Sequence, residues 1–353
     1  MKKLYLLLIF SIAMSVIACN SSVKDQNTTE DKENQHLDME LKGKLSLFSA
    51  LPDTQLYQTD LFSPKVKLGY MLYYDNRLSK DGKNSCNSCH NLATYGVDNL
   101  PTSPGDKGIF GDRNSPSTLN AALHASQFWD ARAKDVEEQA GMPILNPVEM
   151  NIPSEAFLVE RLKEIKLYKE LFAAAYPNDK APISYTNLRN ALGAFERVLI
   201  TPSRFDQYLV GKSDALSLQE KRGMLDFANI GCITCHNGAL LGGGMVQKAG
   251  VHGDYWTFTN SKKHDEGRAG VTKNEIDKFM FKVPSLRNVE KTYPYFHDGS
   301  VTDLSQMVKI MGKMQLNNTL SDEQTADIVA FLKTLTGDVP EQFKKAPHEL
   351  TAN

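Results

Sequence analysis

Four cysteines and two histidines carry the clearest chemistry in the sequence. They fall as Cys86-Asn87-Ser88-Cys89-His90 and Cys232-Ile233-Thr234-Cys235-His236. Two thiols three residues apart lie on about one helical turn. There they can add to the two vinyl groups of one haem, and the histidine that follows points its ring at the iron from the same side. C-x-x-C-H is the attachment signature of c-type haem. A structural zinc site would place its C-x-x-C pairs close together, or follow one of them with paired histidines. A thioredoxin-like redox pair belongs near a βαβ pattern, and none is visible. The expectation is two covalent haems, with His90 and His236 as proximal ligands.

The fifth cysteine lies elsewhere. Lys2 and Lys3 precede an apolar run from Leu4 to Val16, too short for a comfortable membrane span, and residues 1–18 read as a secretory signal. The run ends in Val16-Ile17-Ala18-Cys19, which resembles a bacterial lipobox. Cleavage before Cys19 would leave its thiol to carry lipid. The protein would then sit in the periplasm or cell envelope, held to a membrane by a lipid anchor only. Residues 20–44 hold few large apolar side chains and read as a flexible spacer, with His36 solvated.

The elements that must position the two motifs are helical. Leu68–Tyr74 and Arg222–Phe227 are similar short segments with a glycine, one upstream of each C-x-x-C-H. Downstream of each motif the chain is rich in Gly, Asn and Pro, as a loop around a flat cofactor would be. Each half closes with an amphipathic helix. Tyr185–Leu199 carries Leu188, Ala191, Leu192, Phe195, Val198 and Leu199 at helical spacing, and Ser321–Leu335 opens on a Ser-x-x-Gln capping box. Strand-like alternation is scarce. The reading is an all-α fold of two cytochrome c-like haem domains packed against each other. Its parts are the signal (1–18), a lipidated linker (19–45), the first haem domain (46–200), the second (201–337) and a tail (338–353). A composition of 41% hydrophobic and 23% charged residues excludes disorder throughout, and a net charge of -2 gives no case for nucleic acid.

Further segments make the pattern more specific: Asp75-Asn76-Arg77-Leu78-Ser79, Arg113-Asn114-Ser115-Pro116-Ser117, Gln127-Phe128-Trp129-Asp130, Pro147-Val148-Glu149-Met150, Arg204-Phe205-Asp206, Leu286-Arg287-Asn288 and Pro294-Tyr295-Phe296-His297-Asp298-Gly299. With these, residues 60 to 337 resemble the bacterial dihaem cytochrome c peroxidases, the group that also includes the methylamine-dehydrogenase maturation enzymes. The resemblance implies a peroxidatic haem in the first domain, an electron-donating haem in the second, and a C-terminal tail packed back on the first. It implies reduction of hydrogen peroxide with electrons from a small exported cytochrome or cupredoxin, and it allows a homodimer.

Residue roles follow from the same resemblance. Glu149 matches the acid/base, Gln139 its amide partner, and Trp129 the residue between the haems. Of Met307, Met311 and Met314, the family spacing from His297 selects Met311 as the sixth ligand of the second haem, and a thioether there raises the potential. Calcium would be held between the domains by Asn114, Thr292 and Pro294, all oxygen donors. His297 would bond a haem propionate or order that interface. His124, His252, His264 and His348 read as exposed or locally bonded. A maturation-type oxidase acting on a protein would carry tyrosine in place of Met311, and a plain electron-transfer cytochrome would have no use for Glu149. One departure stands out. Many family members cap the peroxidatic iron with a loop histidine, where this chain has Asp106. Such a carboxylate need not bind iron at all, which predicts an open first haem.

Overall fold

The computed structural model describes residues 31–52 and 63–351; the signal, Cys19 and the first part of the spacer lie outside them. Ten helices of six or more residues carry the described fold. They are α1 (31–42), α2 (Pro64–Tyr74), α3 (Val136–Leu145), α4 (Glu155–Lys163), α5 (Lys166–Ala175), α6 (Tyr185–Glu196), α7 (Arg204–Leu209), α8 (Leu218–Ile230), α9 (Leu304–Leu316) and α10 (Asp322–Lys333). Among the described residues, sheet is confined to one antiparallel ribbon, β1 (Val246–Lys248) with β2 (Met280–Lys282), in register Val246 to Lys282. The two-domain helical reading holds.

Both halves are built on one crossing. In the first, α2 packs across α6; in the second, α8 packs across α10. A glycine sits at each crossing. A Cβ on Gly69 would lie 2.0 Å from the Ala191 carbonyl oxygen, and one on Gly223 would lie 1.8 Å from that of Asp327. Only glycine lets the backbones approach so closely. The first crossing is filled by Leu68, Met71, Leu72, Leu188, Leu192 and Phe195, all essentially sealed from water. The second is filled by Met224, Phe227, Ile328, Phe331 and Leu332. The capping box expected at Ser321 and Gln324 is present and starts α10.

Two segments depart from the sequence reading. The spacer expectation fails for its described part, because residues 31–42 form a helix docked on the second domain. Leu37 and Leu41 are buried there. Lys221, wholly buried on α8, reaches Asp38 Oδ1 at 2.8 Å and Asn34 Oδ1 at 2.5 Å, while Arg222 pairs with Glu33 at 2.9 Å. The polar residues that looked like a solvated run are partners for cations some 190 positions away. The domain boundary moves as well. Phe48 packs edge-on against Phe205 at 5.4 Å, and the Leu51 amide donates to Asp206 at 2.7 Å, so residues 46–51 belong with the second domain.

The other end of the chain crosses the opposite way. Phe343 is buried among Tyr70 and Phe195 of the first domain. Tyr70 donates its hydroxyl to the Gln342 carbonyl at 2.7 Å, and Lys67 pairs with Glu349 at 3.0 Å.

Candidate functional site

The first C-x-x-C-H motif is a single helical turn, Cys86–Cys89, held by a reciprocal Ser85–Ser88 capping box. His90 leaves the helix at φ -121°, its amide still bonded to the Cys86 carbonyl at 2.9 Å. Tyr73, fully buried on α2, donates its hydroxyl to the His90 carbonyl at 2.5 Å and so fixes the histidine from behind. Nδ1 of His90 is sealed and makes no hydrogen bond of normal geometry, with the carbonyls of Pro116 and Gly96 nearby. Burial pushes its pKa down, keeping the neutral ring that a metal requires.

The second motif follows α8 through Gly231, whose φ of 108° lets the chain turn into Cys232–Thr234. His236 is buried, and its Nδ1 lies 2.9 Å from the Leu241 carbonyl oxygen. A carbonyl can only accept, so Nδ1 holds the hydrogen and Nε2 keeps the lone pair. That is the tautomer a proximal ligand needs. All four cysteines are free of disulfides, and burial pushes the thiols of Cys89 and Cys232 up to about 11. Paired free thiols beside an oriented or sealed imidazole fit two covalently held haems.

On α9, Met307 and Met314 are buried in packing, at 8% and 2% exposure, whereas Met311 is half-buried at the edge of the second core. Glu149 is also half-buried. It sits on a loop that folds back over the end of α3 through Met150 N to Pro143 O (3.1 Å) and Ile152 N to Ile144 O (2.9 Å). Asn146 donates to Glu149 Oε1 at 2.7 Å. Burial raises the Glu149 carboxyl above its usual range, opposed by Asn146 and by the charge of Arg132. Gln139 lies half-buried on α3, and no hydrogen bond links it to Glu149 among the described residues.

Asp106 is engaged with backbone. It is fully buried and accepts from the backbone amides of Asp81 (2.7 Å) and Lys83 (3.1 Å). Its own amide donates to the Glu149 carbonyl at 2.7 Å. Burial opposes the charge, but the two amides and the Ser79 hydroxyl outweigh it and hold the carboxyl below the ordinary range. Asp106 is thus a clasp that fixes the loop carrying Glu149. A Cβ on neighbouring Gly105 would strike the Val148 carbonyl at 1.8 Å, so the two loops are in close contact.

Trp129 lies where the halves meet. Its indole Nε1 donates to the Asn114 carbonyl at 2.9 Å, and its own carbonyl accepts from the Lys282 amide at 2.7 Å. The Asn114 amide donates to the His297 carbonyl at 2.7 Å. His297 is buried, stacked on Phe281 with centroids 4.1 Å apart and edge-on to Trp129 at 6.3 Å. Asn99 donates to the Tyr293 carbonyl at 2.7 Å, which sets residues 291–294 against the first domain. The carbonyls of Thr292 and Pro294 accept no hydrogen bond among the described residues, and no cluster of three or more acidic, histidine or cysteine side chains is present there. Sequence reasoning missed the Tyr73 brace, the Asn146 contact and the Lys282–His124 pair. Only Asn146, in an Asn-Pro turn, carried a local signal.

Comparison with known proteins covers both halves. A sequence model described as "Di-haem cytochrome c peroxidase" matches residues 63–214, and one for cytochrome c matches 221–336. The cytochrome c551 peroxidase of Nitrosomonas europaea is 46% identical over 78% of this chain and 81% of its own. That of Pseudomonas aeruginosa is 42% identical over 84% and 86%. A methylamine utilization protein MauG from Methylorubrum extorquens is more distant, at 30% over 92% of each. Among solved structures, a MauG-like protein associated with microbial copper homeostasis superposes with a TM-score of 0.71, at 28% identity over 85% of this chain and 95% of that one. Each matched stretch contains one C-x-x-C-H, and the nearer of these relatives are peroxidases: the chain belongs to the di-haem cytochrome c peroxidase family and is an enzyme of that class.

Proposed function

We propose that the protein reduces hydrogen peroxide to water with electrons from a small exported redox protein. His90 would hold the first haem, His236 and Met311 would hold the second as the point where electrons enter, and Trp129 would lie on the path between them. The names of the two peroxidase relatives suggest a cytochrome c551-type donor. When bound, the haems supply the iron that takes up peroxide and relays the electrons. Glu149 takes the proton from the near oxygen of H2O2 and returns it to the far oxygen, which leaves as water. Two electrons and two protons in all convert one peroxide to two waters. Asn146 orients the carboxylate by its contact at Oε1. Asp106 holds the loop in place from the backbone side, so the base is positioned before peroxide arrives. Asn114, Thr292 and Pro294 would hold calcium at the boundary, and lipid on Cys19 would keep the enzyme at a membrane of the periplasm or cell envelope.

The observation that carries this reading is Glu149: a half-buried carboxyl, raised by burial, oriented by an amide and borne on a clasped loop of the first haem domain. The test is steady-state peroxide turnover with a reduced small c-type cytochrome. Glu149→Gln should lower it by about 10²–10⁴, the usual worth of general acid–base catalysis. Near-normal turnover in that variant would remove Glu149 from the mechanism.

A further inference from the structure

Lys282 ends β2 and is only 4% exposed. Among the described residues its ammonium has one hydrogen-bond partner, Nδ1 of His124 in the first domain, at 2.8 Å. Nδ1 accepts, so the imidazole is neutral and its hydrogen lies on Nε2. That Nε2 is sealed and has no hydrogen-bond partner among the described residues. Gly243 makes room for the ring, since a Cβ there would come within 2.9 Å of His124 Cδ2. Backbone bonds on either side lock the contact: Ala125 N to Gly243 O at 2.9 Å and Gly243 N to Val283 O at 2.8 Å. A lysine buried against a neutral ring is a costly arrangement for packing alone.

The charged surroundings do not neutralise it. Asp130 is the acid whose charge reaches Lys282, but its oxygens are bonded to Arg113 (2.5 Å) and Arg132 (2.8 Å). Arg268 donates to the Asp130 carbonyl, Asp265 is paired with Arg113, and His297 lies beyond Phe281. Burial pulls Lys282 down to about 8, against the pull of Asp130. Burial first, and the ammonium second, hold His124 well below the usual histidine range. The same stretch runs on to Pro284, whose carbonyl backs the His236 ring.

We infer that Lys282 and His124 form a one-proton site at the domain boundary whose charge sets the reduction potential of the second haem. The inference rests on the reading that this haem, on His236, receives the incoming electron. With the ammonium charged, an added electron is stabilised. As pH rises through the lysine's titration the charge is lost and the haem becomes harder to reduce. Through an effective dielectric near 20, one charge would be worth on the order of tenfold in electron affinity, or about 59 mV for one electron. Lys282 and His124 touch neither substrate nor iron; both are positioning residues for charge.

The experiment is a spectroelectrochemical titration of the holoprotein from about pH 6.5 to about 9.5, reading the second haem's potential and its axial-ligand absorption. The wild type should show a tenfold step in electron affinity centred near pH 8. Lys282→Met should be flat at the wild-type alkaline value, and Lys282→Arg flat at the wild-type acid value, both with the ligand band unchanged. A wild type without the step, or a step that persists in either variant, overturns the inference. If Lys282→Met does not fold, the wild type and Lys282→Arg still decide. The titration uses no peroxide. Loss of the step with turnover intact removes the pair alone. A step that tracks Lys282 in a protein without peroxidase turnover keeps the pair and removes the peroxide reading.

Discussion

Glu196 shows what one side chain does to the whole. It is buried at the end of α6, and its neighbour Arg197 is committed to Glu137 at 2.8 Å. Burial, with the charge of Glu137, pushes its carboxyl up to about 8. Between the ordinary glutamate range and that value the unfolded chain is ionised while the folded one stays protonated. Stability is therefore greatest below the ordinary range and declines as pH rises toward 8, by at most about 1.4 kcal/mol per unit of difference. Glu196→Gln should flatten this decline, so thermal midpoints of variant and wild type should diverge in favour of the variant from pH 5 to 8. Parallel curves would show that Glu196 has a partner when haem is bound. At this scale the sequence was legible where spacing alone defined the chemistry, as for Cys86, Cys89 and His90. It was not legible for Asp106, Lys282 or His124. Their roles depend on backbone amides and rings brought together only by the fold, and nothing in their flanking residues marks burial.

Helices α1 and α9 divide their residues between packing and service. On α9, Met314 is core, so Met314→Ala should cost about 2–5 kcal/mol in chemical denaturation with the second haem's potential little changed. On the proposed ligation, Met311→His should do the opposite, lowering that potential with little loss of stability, because imidazole would replace a soft thioether. A potential unmoved by Met311→His would place the ligand at another methionine. On α1 the decisive contacts are charged. Removing Asp38 leaves the buried Lys221 with Asn34 and the Tyr208 ring, and Asp38→Ala should cost about 2–3 kcal/mol, below the full value for a broken buried pair because Asp38 is partly exposed. An unchanged denaturation midpoint would mean that the helix is not held by this pair. Helix α1 could not be read from residues 31–42. Its apolar face is Leu37 and Leu41, too little for an amphipathic pattern, and its polar partners sit on α7 and α8. The α6 and α10 helices were legible because each carries its own apolar stripe and cap.

For the whole molecule, mass spectrometry of the mature protein should show two haems that acidified solvent does not extract, one at Cys86/Cys89 and one at Cys232/Cys235. One haem, or extractable haem, would contradict the assignment. The two-domain architecture was legible because C-x-x-C-H occurs twice with similar helices around it. The tail on the first domain followed from the resemblance, whereas the docking of α1 on the second was not legible, since the cations it pairs with sit on α8.

Those ends bear on how the molecule is made. Helix α1 precedes the first domain yet closes the second, through contacts with Lys221 and Arg222; residue 343 follows the second domain yet closes the first, against Tyr70 and Phe195. Neither half can complete its packing from a contiguous stretch of chain. A polypeptide emerging from its N-terminus must hold α1 without its partner until α8 arrives, and must leave the face of α2 open until residue 343 arrives. The first C-x-x-C-H turn therefore stays in an incompletely closed domain until residue 343 is made, an interval in which haem can still reach its thiols. Cutting the gene between the halves should accordingly yield two fragments that are each poorly folded, and that regain structure when co-expressed.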